Sequence, residues 1–226
     1  MNKKNWLIHI PQSGIIIFIL LNILAIITYS GTTLHDNLSV GYSFTNNFLS
    51  DLGRYMTYNG GNNFFPCLFF NSAMLIAGTV IIIFFWNIET IFNRYSGIFY
   101  WIAMIGTSAG IAGGYSMIGV ALTPADLYLD SHILCAHWLF RFFVIAAVCY
   151  TIIIFKSELI ANKYAIGYCV FACLILLYIL VSELGPDPRE QMSALQFQVI
   201  AQKSILLCFL ATIYFQTKGL ESIIDK

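Results

Sequence analysis

"FFPCLFFNSAMLIAGTVIIIFFW", residues 64–86, carries no charged side chain, and its polar content is Asn71, Ser72 and Thr79. Wound as a helix at 1.5 Å per residue the run is about 35 Å long, enough to cross the roughly 30 Å hydrocarbon core of a bilayer. Five further stretches read the same way: 13–30, 97–122, 132–155, 164–181 and 194–216. The chain is 59% hydrophobic and 10% charged, whereas soluble domains carry about 25% charged residues. Such a chain cannot cover a water-facing surface. The expected fold is an all-α polytopic membrane bundle with six transmembrane helices. Residues 1–226 form one unit, because no Pro/Gly/Ser linker or charge block divides them.

Net charge is zero, which excludes the basic signature of nucleic-acid binding. The six cysteines, at 67, 135, 149, 169, 173 and 208, lie in apolar stretches without CxxC spacing. They read as small hydrophobes, with no disulfide framework and no zinc site. Lys3 and Lys4 precede the first span, but "TYSGTT" offers no small-x-small cleavage pattern, so that span is expected to be a retained signal-anchor helix.

Orientation follows from the basic residues. With the N-terminus inside, Lys3, Lys4, Arg94, Lys156, Lys163, Lys218 and Lys226 are cytoplasmic, against Arg54 and Arg189 outside. Both termini are therefore expected in the cytoplasm. The unusual residues collect in the outer segments, where function is expected.

Residues 31–63 are long for a connection and are expected to form an extracytoplasmic loop cap. Within it, "SDLGR" reads as a helical turn capped by Ser50 with Asp51 in the first turn. "NGGNN" supplies positive-φ positions for the return into the second span. In "LTPADLYLDSHILCAHWLFRFF", 122–143, Pro124 ends the third span, and Ser131 or Asp130 is expected to cap the fourth. Asp130, Leu134, His137 and Arg141 then follow at i, i+4, i+7 and i+11, on one stripe. His132 lies about 140° from His137 around the helix, so the two do not form an i, i+4 chelating pair. No metal and no cofactor are expected. The third outer segment, "SELGPDPREQMSALQFQVIAQK", 182–203, places Gln196 and Lys203 on one face of the sixth span and Gln202 on an adjacent one.

Arg141 and Lys203 each lie nine residues into their expected spans, roughly 13 Å below the helix ends. A lipid-facing charge there costs at least about 2–3 kcal/mol. Internal pairing would neutralise them through Asp51, Asp126 or Glu183. The alternative is a pocket that receives an anion, to which Arg is well suited. The stripe is accordingly expected to face the bundle interior, opposite Lys203, in one outward-open cavity reached by Asp51 or Glu183. The third span carries Gly106, Gly110 and Gly114 at four-residue intervals, a spacing that lets helices approach closely.

"LSDLGR", "LTPADLYLDSH" and "FRFF" together resemble a bacterial and archaeal group of membrane proteins, the domain of unknown function numbered nine-nine-eight. That group is similar to the eukaryotic DRAM, Frag and Sfk proteins. The resemblance implies a six-helix bundle with Ser50, Asp51, Leu52 and Gly53, then Pro124, Asp126 and His132, on one face. It also implies a lean toward lipid handling. The location expected is multi-pass in a bacterial inner (plasma) membrane.

The function expected is an outward-facing polar pocket binding a lipid headgroup or small anion through Arg141, Lys203, Asp130, Gln196, Gln202 and Glu183. One alternative is a lipid hydrolase or transferase with His132, His137, Asp126 or Asp51 as catalytic candidates. The other is an ion or solute pathway, which the scarcity of polar residues in the inner halves of the spans disfavours. The expected partner is a membrane lipid, and a homo-oligomer is left open.

Overall fold

The computed structural model describes residues 3–92 and 96–224, so Arg94, Asp225 and Lys226 lie outside the described residues. The regular elements of the described residues are all helical. Its six helices are α1 (Ile10–Thr28), α2 (Phe64–Phe92), α3 (Ile98–Leu122), α4 (Leu129–Lys156), α5 (Lys163–Leu184) and α6 (Met192–Ile224). Each is long and apolar enough to cross a membrane. The protein is a multi-pass integral membrane protein.

Several helices extend beyond the apolar cores that announce them, because polar residues tolerate helix once the interior has nucleated it. α6 continues two turns past 216, and α2 runs to Phe92. Pro66 sits in the first turn of α2, where a missing N–H costs nothing. Upstream of α1 the residues Asn5–His9 form a π-helical turn, closed by the Ile10 N–H on the Asn5 carbonyl. Pro11 follows directly, and its ring, which cannot sit against the carbonyl four residues back, favours that widened turn. The first span therefore begins well before residue 13.

Two expected caps are not formed. Neither Ser131 nor Asp130 caps α4; the helix begins at Leu129, with no side-chain cap. Pro124 opens the preceding turn, its carbonyl accepting the N–H of Leu127 and Tyr128 at 3.0 and 2.9 Å, and the Tyr128 carbonyl then accepts the His132 N–H at 2.9 Å as α4 begins. Ser50 likewise does not cap its turn. It lies inside a 3-10 helix, Leu49–Gly53, whose N-cap position is Phe48.

Each helix packs on its neighbours in sequence, and α6 returns to α1, so the six form a closed ring. The tightest crossings use glycine. A Cβ at Gly78 would lie 2.7 Å from the Gly114 carbonyl, and one at Gly110 2.3 Å from the Phe85 ring. Gly110 and Gly114 of α3 thus serve close packing on α2, while Gly106 packs against Cys149 and Tyr150 of α4.

At one end of the ring the 29–63 segment folds over the helices and packs its 3-10 turn on α2 and α6. Gly60, at φ +78°, makes the tight return anticipated for "NGGNN", and the Asn62 side chain accepts the Phe64 N–H as α2 starts. Near the other end Phe85, Phe92 and Tyr168 surround Tyr150, with ring centroids 5.6 to 5.8 Å away. The Tyr150 hydroxyl bonds Thr107 at 2.8 Å.

Candidate functional site

The ring encloses a chamber of about 120 Å³ beneath the cap. All six helices and the 3-10 turn line it. The floor is aromatic: Phe209 stacks on Phe143 with centroids 4.8 Å apart and meets Phe171 at 5.3 Å. Leu49 and Ser50 of the 3-10 turn lie at the capped end. Phe70 and Met74 of α2, and Ala136, Leu139 and Phe140 of α4, supply much of the wall. Ser50, His132 and Gln202 are the polar side chains in this lining. The chamber is apolar with one polar end, rather than the polar pocket expected.

Each polar member is held by a specific contact. His132 is buried, and its Nδ1 lies 2.7 Å from the Thr123 carbonyl. A carbonyl only accepts, so Nδ1 carries the hydrogen and Nε2 the lone pair. Thr123 is the C-cap of α3, so His132 satisfies one of the open carbonyls there. Gln202 turns its Oε1 to the Leu49 N–H at 2.9 Å, which fixes the roof to α6 and leaves the amide NH2 as a donor. Ser50 follows Leu49 and is placed by that same bond.

The roof rests on a buried polar network. Asn47 is its hub, at 0% exposure. Its amide NH2 donates to the Thr32 carbonyl and to Asp51, both at 3.1 Å, and its Oδ1 accepts the Ser43 N–H at 2.9 Å. Asp51 also accepts the Tyr58 hydroxyl at 2.9 Å. Lys203 Nζ donates to the Asn47 carbonyl at 2.6 Å and lies over the Tyr42 and Phe44 rings, a cation–π contact strengthened by desolvation. Burial pushes the Asp51 carboxyl above its ordinary range, against the pull of Asn47, Tyr58, Arg54 and the Phe48 backbone. Burial and the nearby Asp51 charge push the Tyr58 phenol up as well, so it remains a donor.

On the α2 side, Asn63 donates to the Leu52 and Arg54 carbonyls at 3.1 and 2.8 Å. Asn71 reaches the Gly53 carbonyl at 3.3 Å. Gly53 is required here, since a Cβ would lie 2.5 Å from Phe70. Asp126 uses both oxygens to accept the Tyr55 and Met56 N–H groups, at 2.8 and 2.7 Å. Gln196 bonds Asn46 at 3.0 Å. These last two tie the cap to the α3–α4 turn and to α6.

The stripe Asp130–Leu134–His137–Arg141 does not face the interior. Asp130 and Leu134 are exposed, and His137 and Arg141 are half-exposed. Nine residues separate Arg141 from His132, which is about 180° around a helix, and His132 occupies the chamber face. Arg141 pairs instead with Glu183 near the end of α5. Lys203 lies away from that pair, against the cap, and neither cation lines the chamber. One cavity shared by Arg141 and Lys203 is therefore replaced by two separate charge sites. Depth along a helix does not measure depth below polar surroundings: α5 ends beside Arg141, and the cap descends to Lys203.

Of the expected site residues, the chamber brings together His132 and Gln202. Asp51 and Lys203 belong to the network above them, Asp126 and Gln196 to the cap's ties, and Asp130, His137, Arg141 and Glu183 to the outer α4–α5 edge. Sequence reasoning overlooks Asn47 and Tyr58, whose signal is the clustering of amide and phenol groups around "NNFLSD" in an otherwise apolar chain. The chain matches no family model, no curated protein and no solved structure.

Proposed function

We propose that the protein binds an amphipathic, lipid-derived molecule with a short apolar tail. The tail occupies the chamber and the polar end meets Ser50, His132 and Gln202. The chamber itself carries this reading: apolar walls, an aromatic floor and three polar residues in its lining. A cavity of roughly 150 Å³ lined by Leu, Ile and Phe takes up benzene, so the volume suits a short chain end. Ligand sites combine an apolar lining with a few orienting polar groups in this way. Arg141, Lys203, Asp130, Gln196 and Glu183 take no part, because their contacts lie elsewhere. The aromatic layer around Tyr150 beyond the floor disfavours a continuous polar route, and with it an ion or solute pathway. The bias of basic residues supports a cap on the outer face of the membrane, where such a ligand enters from the outer leaflet.

The reading is tested with a diazirine derivative of hexanoic acid. Photolysis with the purified protein should label peptides that line the chamber, and free hexanoate should compete. Ala136→Trp, which fills the chamber, should reduce labelling at least tenfold. Equal labelling of the wild type and the filled variant would place the site elsewhere.

A further inference from the structure

We infer that the polar end of the chamber is a serine–histidine acyl-transfer site acting on esters of short-chain acids, an inference that rests on the binding reading above. The three polar side chains of the lining are of three complementary kinds: a hydroxyl, an imidazole and a primary amide. The Ser50 hydroxyl makes no hydrogen bond to another described residue. The His132 Nδ1–H is committed to the Thr123 carbonyl, so Nε2 holds the lone pair that a general base needs. Gln202 has its oxygen committed to the Leu49 N–H, so what it offers a ligand is its NH2. A hydroxyl, an imidazole lone pair and an amide NH2, each uncommitted to other described residues, therefore line one chamber, the group types that nucleophile, base and oxyanion donor require.

The support for the base has a second element. Thr123 closes the C-terminal end of α3, where the helix dipole is negative. In a Ser-His-Asp triad a carboxylate orients the imidazole and stabilises the imidazolium. Here the Thr123 carbonyl and the end of α3 fill that place. The site therefore needs no third side chain, and Asp126, committed to Tyr55 and Met56, stays outside the chemistry.

The reaction runs in two halves. His132 Nε2 takes the Ser50 proton as Ser50 Oγ forms a bond to the ester carbonyl carbon, with the acyl tail in the chamber. The Gln202 NH2 donates to the developing oxyanion. Collapse breaks the bond to the alkoxy oxygen, which leaves as an alcohol with the proton from His132, and Ser50 holds the acyl group. Water then attacks that acyl carbon, giving its proton to His132, and the breaking Ser50–acyl bond recovers it on Ser50. Ester and water become acid and alcohol, with no oxidant, metal or cofactor consumed.

The test uses the full chain in detergent micelles, with a hexyl fluorophosphonate and para-nitrophenyl hexanoate as probes. Peptide mapping should find the phosphonyl adduct on Ser50, and Ser50→Ala should lack both adduct and ester hydrolysis. His132→Gln should slow both by at least 100-fold, the range expected for a lost general base. Gln202→Leu should lower kcat more than it raises KM, since its donor acts on the oxyanion. The hexanoate photoprobe separates the two readings. A wild type that takes up the photoprobe in the chamber but forms no Ser50 adduct overturns the acyl-transfer site and leaves the binding reading standing. Absence of chamber photolabelling overturns both. Adduct formation that Ser50→Ala and His132→Gln leave unchanged overturns the assignment of these residues.

Discussion

Lys203 and Arg141 look alike along the chain: each is a cation well inside an apolar helix, with similar depth along its own axis. The structure treats them oppositely. Lys203 is 5% exposed and surrounded by the cap, with the Asn47 carbonyl, two aromatic rings and the Asp51 carboxylate nearby. Arg141 keeps 34% of its side chain exposed and meets Glu183, itself 40% exposed, where α5 ends. In the first region a loop is brought down to the charge. In the second the neighbouring helix stops at the charge, and the negative end of its dipole adds to Glu183. The cost of a charge within a membrane helix is therefore set by where its neighbours begin and end, not by its own position.

The sharpest way to break this comparison is Lys203→Ala. It leaves the buried Asn47 carbonyl without its charged donor and empties the space beside the Tyr42 and Phe44 rings, a loss of about 2–3 kcal/mol. It should show as a large fall in Tm in detergent. In an Asp51→Asn background the loss on Lys203→Ala should shrink only by the share that the nearby Asp51 charge carries. A fall no larger than that of a surface lysine would remove the distinction between the regions.

A smaller effect follows from Asp51 and pH. Its folded pKa is raised, so between the unfolded value of 3.8 and the folded value the native state binds more protons than the unfolded chain. Stability through this group is then full below the unfolded value and falls as pH rises toward the folded one, at up to about 1.4 kcal/mol per pH unit. Unfolding scans from pH 4 upward should show that decline in the wild type, and Asp51→Asn should lack it. A wild type that gains stability through Asp51 as pH rises would reverse the assignment.

Arg141→Ala should have the smallest effect, about 1 kcal/mol or less, since half-exposed pairs are weak. Glu183→Ala should match it. A Tm loss for Arg141→Ala as great as that for Lys203→Ala would mean that the α4–α5 edge is as dependent on its charge as the cap.

Part of the site is legible in the residue order alone. His132 and Gln202 stand out as polar residues in apolar helices, and the half-turn between His132 and Arg141 follows from their nine-residue spacing. The expectation that Arg141 faces inward gives that spacing less weight than the cost of a lipid-exposed cation. The caps of α4 and of the 3-10 turn depart from expectation for a different reason. Ser and Asp beside a helix start have the chemistry of a cap, but the turn after Pro124 places the helix start at Leu129, so Asp130 and Ser131 lie inside the first turn and Tyr128 takes the cap position. Asn47 has no place in such a reading: its Ser43 and Asp51 bonds are local, but those to Thr32 and Lys203 join segments whose approach no local pattern encodes.

The sequence by itself determined the six helices and their membrane character, because span length and hydropathy are one-dimensional properties that the bilayer core reads directly. It also determined the glycine face of α3, since helical period and residue size suffice to define a close-packing surface. Only the tertiary structure decided that the ring closes around an apolar chamber, that the cap descends to Lys203, and that Ser50, His132 and Gln202 line that chamber together. Those residues come from three segments far apart in the chain. Their convergence depends on the ring packing and on the buried Asn47 network, whose bonds to Thr32 and Lys203 join separate segments.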